Sequence, residues 1–139
     1  MERFKGNRMT PQERRLRLES LKEEIQMGYV DEEMIPYLER INRHKFIVTT
    51  QSCCGHGEDP EKGGRRAHID FRTSLDPETV IDRILKPLDR KFSPKLSFSL
   101  YGLHCDRLRY CIWLDNREWR EQLEFFIQLL DELEGELNG

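Results

Sequence analysis

Apolar residues recur along this chain in two periods. Helical spacing runs through Leu18, Leu21 and Ile25 and again through Met34, Ile35, Leu38 and Ile41. Thr10-Pro11-Gln12-Glu13 precedes the first run with a cap, a proline suited to the first turn and the glutamate of a capping box, and Gly28 is the stop. Asp31 is a cap for the second run, where Pro36 removes a donor and predicts a bend or a delayed start. Lys45 to Thr50 is short and β-branched, the pattern of a strand entering a loop that begins at Gln51 and runs to about Arg65. Arg66 to Arg72 alternates, with Ala67, Ile69 and Phe71 on one face and His68 and Asp70 on the other. Asp76-Pro77-Glu78 opens a third helix with Val80, Ile81, Ile84 and Leu85 inward and Pro87 closing it. Leu96, Phe98 and Leu100, then Leu108, Tyr110, Ile112 and Leu114, give two more strands. A last helix starts near Asp115 or Asn116 and buries Trp119, Leu123, Phe126, Ile127 and Leu130. The order α-α-β-loop-β-α-β-β-α predicts an α+β single domain spanning residues 1–139, with a mostly antiparallel sheet and helices on one side.

Length and charge narrow the class. A chain of 139 residues with 35% charged and 37% hydrophobic positions buries a core without needing metals or disulfides. No window resembles a spanning helix and the start of the chain lacks a secretion signal, so the expected compartment is the cytoplasm. The four cysteines, Cys53, Cys54, Cys105 and Cys111, read there as thiols or ligands. A net charge of −3 brings no global attraction to nucleic acid. Arg65, Arg66 and Arg72 form one basic cluster, and Arg14, Arg15 and Arg17 another that reads as a solvated helix face. The amphipathic terminal helix is also a surface through which a homodimer could form.

Reactive side chains concentrate in Thr49-Thr50-Gln51-Ser52-Cys53-Cys54-Gly55-His56-Gly57. Its hydroxyls and glycines suit either an anion cradle or a capped tight turn. Cys53 and His56 have the spacing of half a zinc site, with His104-Cys105 able to supply the other half and His68 a further ligand type. Adjacent Cys53 and Cys54 would point apart in an extended segment, and no second such pair is present. Either thiol beside His56 is also a nucleophile candidate.

Gly28-Tyr29-Val30-Asp31-Glu32-Glu33, Ile35-Pro36, Ile41-Asn42 and Thr49 to His56, taken together, resemble the tRNA wybutosine-synthesising methyltransferases, the wybutosine-synthesis protein three family. Members pair a G-x-(I/V)-D-E helix start and an I-N helix end with a strand leading into T-T-S-S-C-S-G-R. The likeness is best over about Lys22 to His56. Thr50, Ser52, Cys53 and Gly55 sit on the motif, whereas Gln51 and Cys54 replace serines and His56 replaces an arginine. The resemblance implies an α+β fold, S-adenosylmethionine as cofactor and methyl transfer to a nitrogen of a modified guanosine in tRNA. In the reading it supports, Ser52, Cys53 and His56 are catalytic, Thr50 and Gly55 bind the cofactor, and Arg65, Arg66 and Arg72 contact RNA. The alternative from the residues themselves is a zinc-binding module on Cys53, His56 and His104.

Overall fold

The computed structural model of the chain describes residues 8–102 and 107–138. Helix α1 (Pro11–Gln26) begins where Thr10 accepts a 3.1 Å hydrogen bond from the Glu13 amide. A single tight turn (Glu32–Met34) precedes α2 (Ile35–Asn42), so the proline delays the helix as its missing donor predicts. Strand β1 (Ile47–Cys53) pairs with β2 (His68–Thr73), and β2 with β4 (Arg109–Trp113), whose other edge takes β3 (Ser97–Tyr101). All pairings in this β1-β2-β4-β3 sheet are antiparallel. The fold is α+β, with α5 (Trp119–Asn138) as its longest helix.

Three boundaries differ from expectation. Strand β1 continues to Cys53, because a register shift between Thr49 and Gln51 absorbs one residue and lets Ser52 and Cys53 keep pairing with Ile69 and His68. Half of the motif expected in a loop is therefore strand. Pro87 does not close the third helix: α3 (Pro77–Val80) passes through a widened turn (Ile81–Leu85) into α4 (Lys86–Phe92). The wider turn accommodates a proline that has no amide to give and whose ring would crowd the carbonyl one turn back. Helix α5 starts at Trp119, after a turn in which the Asp115 carboxylate accepts from the amides of Arg117 at 2.8 Å and Glu118 at 3.1 Å.

Strand alternation sends Ile69, Phe71, Tyr110 and Ile112 to one face, where they meet Met34, Leu38, Ile84, Leu88, Leu123 and Phe126 from the helices. Phe71 stacks on Tyr110 at 5.3 Å and touches Phe126 at 5.6 Å, so sheet and α5 share one aromatic cluster. Burial raises the Tyr110 hydroxyl to a pKa of about 12. The expected inward residues of α5 all lie in this core. No helix among the described residues is long and apolar enough to cross a membrane.

Helix α1 is held by charge more than by apolar contact, since Leu21 is its one fully buried residue. Arg14 and Arg17, expected on a solvated face, instead reach β1 and the end of α2: Arg14 donates to the carbonyls of Ile47 (3.1 Å), Asn42 (2.5 Å) and His44 (3.1 Å), and Arg17 to those of Thr49 (3.0 Å) and Thr50 (2.7 Å). Glu13 ties the same helix to β2 through two hydrogen bonds with the buried Arg72, at 2.5 and 2.7 Å. The Arg72 guanidinium holds the Glu13 carboxyl below its usual range.

A carboxylate whose folded pKa is depressed contributes fully above its unfolded pKa and loses that contribution as pH falls through the folded value. Below about pH 4.5, the unfolded chain takes up the Glu13 proton first and stability should fall. Urea titrations at stepped pH should show Glu13→Gln less stable by about 1.5–3 kcal/mol at pH 7, the worth of hydrogen bonds to a charged group. The gap should narrow as pH drops below that value. A variant as stable as the parent at pH 7 would show that the pair does not hold α1.

Candidate functional site

Where β1 ends, the chain turns through three consecutive residues in the left-handed region, Gly55 (φ 78°), His56 (φ 52°) and Gly57 (φ 69°). Side chains from elsewhere hold the turn. Asn116 accepts from the Ala67 amide at 2.7 Å through Oδ1, and its Nδ2 donates to the carbonyls of Glu58 (2.7 Å) and Arg65 (2.8 Å). One side chain thus closes the segment 55–67 from both ends. A Cβ on Gly55 would lie 2.5 Å from the Asn116 side chain, so glycine is required there by space as well as by φ.

Asp31 completes the site. Its side chain makes no cap hydrogen bond with the turn that follows it. Oδ2 accepts from the Cys54 amide at 2.9 Å, and Oδ1 lies 3.2 Å from His56 Nε2. Cys53 Sγ accepts from the Gly55 amide at 3.3 Å. Asp31, Cys53 and His56 each bring a donor atom to within 4.8 Å of the other two. Cys54, the residue after β1, is buried in the core beside Asp31, and burial raises its thiol pKa. Cys111 is raised too, by burial and by the Asp70 carboxylate beside it, so neither thiol is disposed to act as a nucleophile.

Thr50 and Ser52 lie apart from that trio. Both line a pocket of about 290 Å³ between β1 and α1, with Tyr29, Val30 and Leu38. His56 faces a separate cleft of about 630 Å³ with Asp31, Glu32, Glu33, Asn116 and Arg120. Gly55 is buried beneath Asn116, so the predicted cofactor pair Thr50 and Gly55 does not share one cavity.

The predicted basic cluster is also divided. Arg65 is engaged by Glu58 through its backbone amide (2.7 Å) and its guanidinium (3.0 Å), an arrangement that lowers the Glu58 carboxyl to a pKa of about 2. Arg66 donates to the Leu114 carbonyl at 3.2 Å and lies over Trp113. Arg72 opens onto a groove of about 950 Å³, which runs along α1 across the polar side of the sheet. Arg8, Arg17, Arg107 and Arg109 line it too, with Tyr101 beneath Arg109 and Glu13 as its one carboxylate among the described residues. Thr50 borders both this groove and the small pocket. His68 packs on Trp113 and takes no part in the trio; His104 and Cys105, the other half of the expected zinc set, lie outside the described residues.

Sequence reasoning missed Asp31 and Asn116 as site residues, reading Asp31 as a helix cap and Asn116 as one possible start of the last helix. Signals were present for each. Asp31 belongs to the G-x-(I/V)-D-E motif, and Asp115-Asn116 offers two capping residues where a helix needs one.

The family model described as Methyltransferase TYW3 matches residues 12–56, from the start of α1 to His56, and so bears out the likeness over that stretch. No curated protein and no solved structure matches the chain.

Asn116→Ala leaves three backbone groups of the loop without their partner, at about 1–3 kcal/mol for each buried one. Amide exchange read by mass spectrometry should accelerate at least tenfold across 55–66 while the amides of α5 keep their protection. Unchanged exchange in that loop would show that Asn116 is not its clamp.

Proposed function

We propose that the chain is a compact, methyltransferase-like RNA-modification protein related to TYW3, which binds tRNA along the arginine groove and S-adenosylmethionine beside the Thr50–His56 segment. The observation that carries the reading is the family match, which covers α1, α2, β1 and the turn to His56 and stops there. That stretch supplies one wall of the arginine groove and most of the walls of both pockets next to the motif.

The chemistry asks little of the protein. A nitrogen lone pair attacks the sulfonium methyl, the carbon–sulfur bond breaks to leave a neutral thioether, and the nitrogen sheds its proton to solvent. Placing the methyl in line with the nitrogen can supply much of the barrier reduction. Thr50 and Ser52 would hold part of the cofactor in the small pocket, at the lower end of the ~300–1,000 Å³ typical of ligand sites. Cys53 and His56 form the far end of the segment.

RNA phosphates would lie against Arg107 and Arg109 while Arg72 stiffens the floor of the groove through Glu13. This placement revises the expected RNA contacts, because Arg65 and Arg66 already serve the loop and Trp113. Tyr101, 38% exposed, is available for a base to stack on.

Two measurements test this. Calorimetry should detect S-adenosylmethionine binding to the pure protein, alone or with tRNA; no heat in either condition would dispose of the methyltransferase reading. Anisotropy with a labelled anticodon stem-loop should show a paired Arg107→Ala, Arg109→Ala variant binding at least tenfold more weakly. Its log K against log salt slope should be shallower by about 1.4–1.8, the counterion share of two phosphate contacts. Equal slopes would move the RNA elsewhere on the surface.

A further inference from the structure

We infer that Asp31, Cys53 and His56 form a three-donor site for a zinc-class divalent cation, with the fourth position open to the cleft beside Asn116. The three donor atoms already lie within 4.8 Å of one another, and Asp31 Oδ1 is 3.2 Å from His56 Nε2. Four-coordinate zinc with bonds of about 2.0–2.3 Å places its ligand atoms about 3.3–3.8 Å apart. Closing onto an ion needs only small side-chain movements.

The surroundings are those of a held donor set. The second carboxylate oxygen of Asp31 is fixed by the Cys54 amide at 2.9 Å, leaving Oδ1 directed at the trio. The sulfur of Cys53 accepts the Gly55 amide at 3.3 Å, an N–H···S contact that steadies a thiolate ligand. His56 is brought over Asp31 by a left-handed backbone that a non-glycine residue adopts only under strain, and Asn116 grips the neighbouring carbonyls. A histidine offered to solvent alone would not need that conformation.

The donor types agree with one another. Thiolate and imidazole favour zinc over magnesium or calcium, and one carboxylate with one thiolate balances a doubly charged ion. Three protein ligands with an open fourth position is the arrangement of zinc that meets a ligand or water rather than a closed structural site. The open side faces Glu32, Glu33 and Arg120 across the cleft. Asp31 thereby takes the place that the sequence reading gave to His104.

The site stands apart from the methyl-transfer reading, because metal binding is measured with neither S-adenosylmethionine nor RNA present. Titrating the purified, untagged, reduced full chain with Co²⁺ should produce a thiolate-to-cobalt charge-transfer band that saturates at one equivalent and is displaced by Zn²⁺. Cys53→Ser should abolish the band; His56→Ala and Asp31→Ala should weaken Co²⁺ binding at least tenfold, while Cys111→Ser leaves both band and affinity intact. A band that survives Cys53→Ser, or an affinity indifferent to Asp31→Ala, overturns the site. Should a variant unfold, the parent chain still decides: its thermal midpoint should rise with added Zn²⁺, by linkage to the folded state, and no rise together with no band counts against the proposal.

Discussion

β1 is an edge strand, and an edge strand carries a row of backbone carbonyls that must find donors. Here Arg14 and Arg17 supply them from α1, and Asn42 closes the end of α2 onto the same strand. Its Oδ1 accepts the Thr49 amide at 2.9 Å and its Nδ2 donates to the Thr49 hydroxyl at 2.8 Å. Satisfying one strand's outer face therefore sets the positions of two helices. The same contacts protect the edge from pairing with another chain. They also explain why a helix with little apolar surface stays docked, since α1 is fixed by hydrogen bonds to a strand that cannot move without breaking its own pairing to β2.

From that unit the site follows. A strand secured on both sides runs past its bulge to Cys53 and delivers the chain into the left-handed turn at a fixed angle. Asp31 sits in the connection between α1 and α2, so the packing of those helices against β1 brings its carboxylate beneath the turn, 22–25 residues distant in sequence. Asn116, at the mouth of α5, closes the loop from the opposite side. The segment matched by the family model is this unit, residues 12–56, and the remaining strands and helices supply the clamp and the arginine groove. The groove also shows how a chain of net charge −3 can present a basic surface: five arginines line it against one carboxylate, Glu13, among the described residues.

The alternation at Ile69 and Phe71, the proline at Pro36 and the amphipathic run from Trp119 were legible because each reports a local preference. What escaped was set by distant partners. Nothing in Arg14-Arg15-Leu16-Arg17 says that two of the arginines meet carbonyls about 30 residues on, and their spacing alone is that of a solvated face. The bulge that extends β1 has no composition of its own, so Ser52 and Cys53 resembled loop residues. Pro87 is a helix breaker until a widened turn accommodates it. In the site, Cys53 and His56 were readable from their spacing; Asp31 and Asn116 became site residues only once the helices were placed.

The edge constraint is most directly tested by hydrogen exchange on a double variant, Arg14→Met with Arg17→Met, which keeps the aliphatic stems and removes the donors. Exchange through β1 and the 54–67 loop should become much faster while α4 and α5 retain their protection. Protection in β1 and the loop equal to that of the parent chain would contradict it.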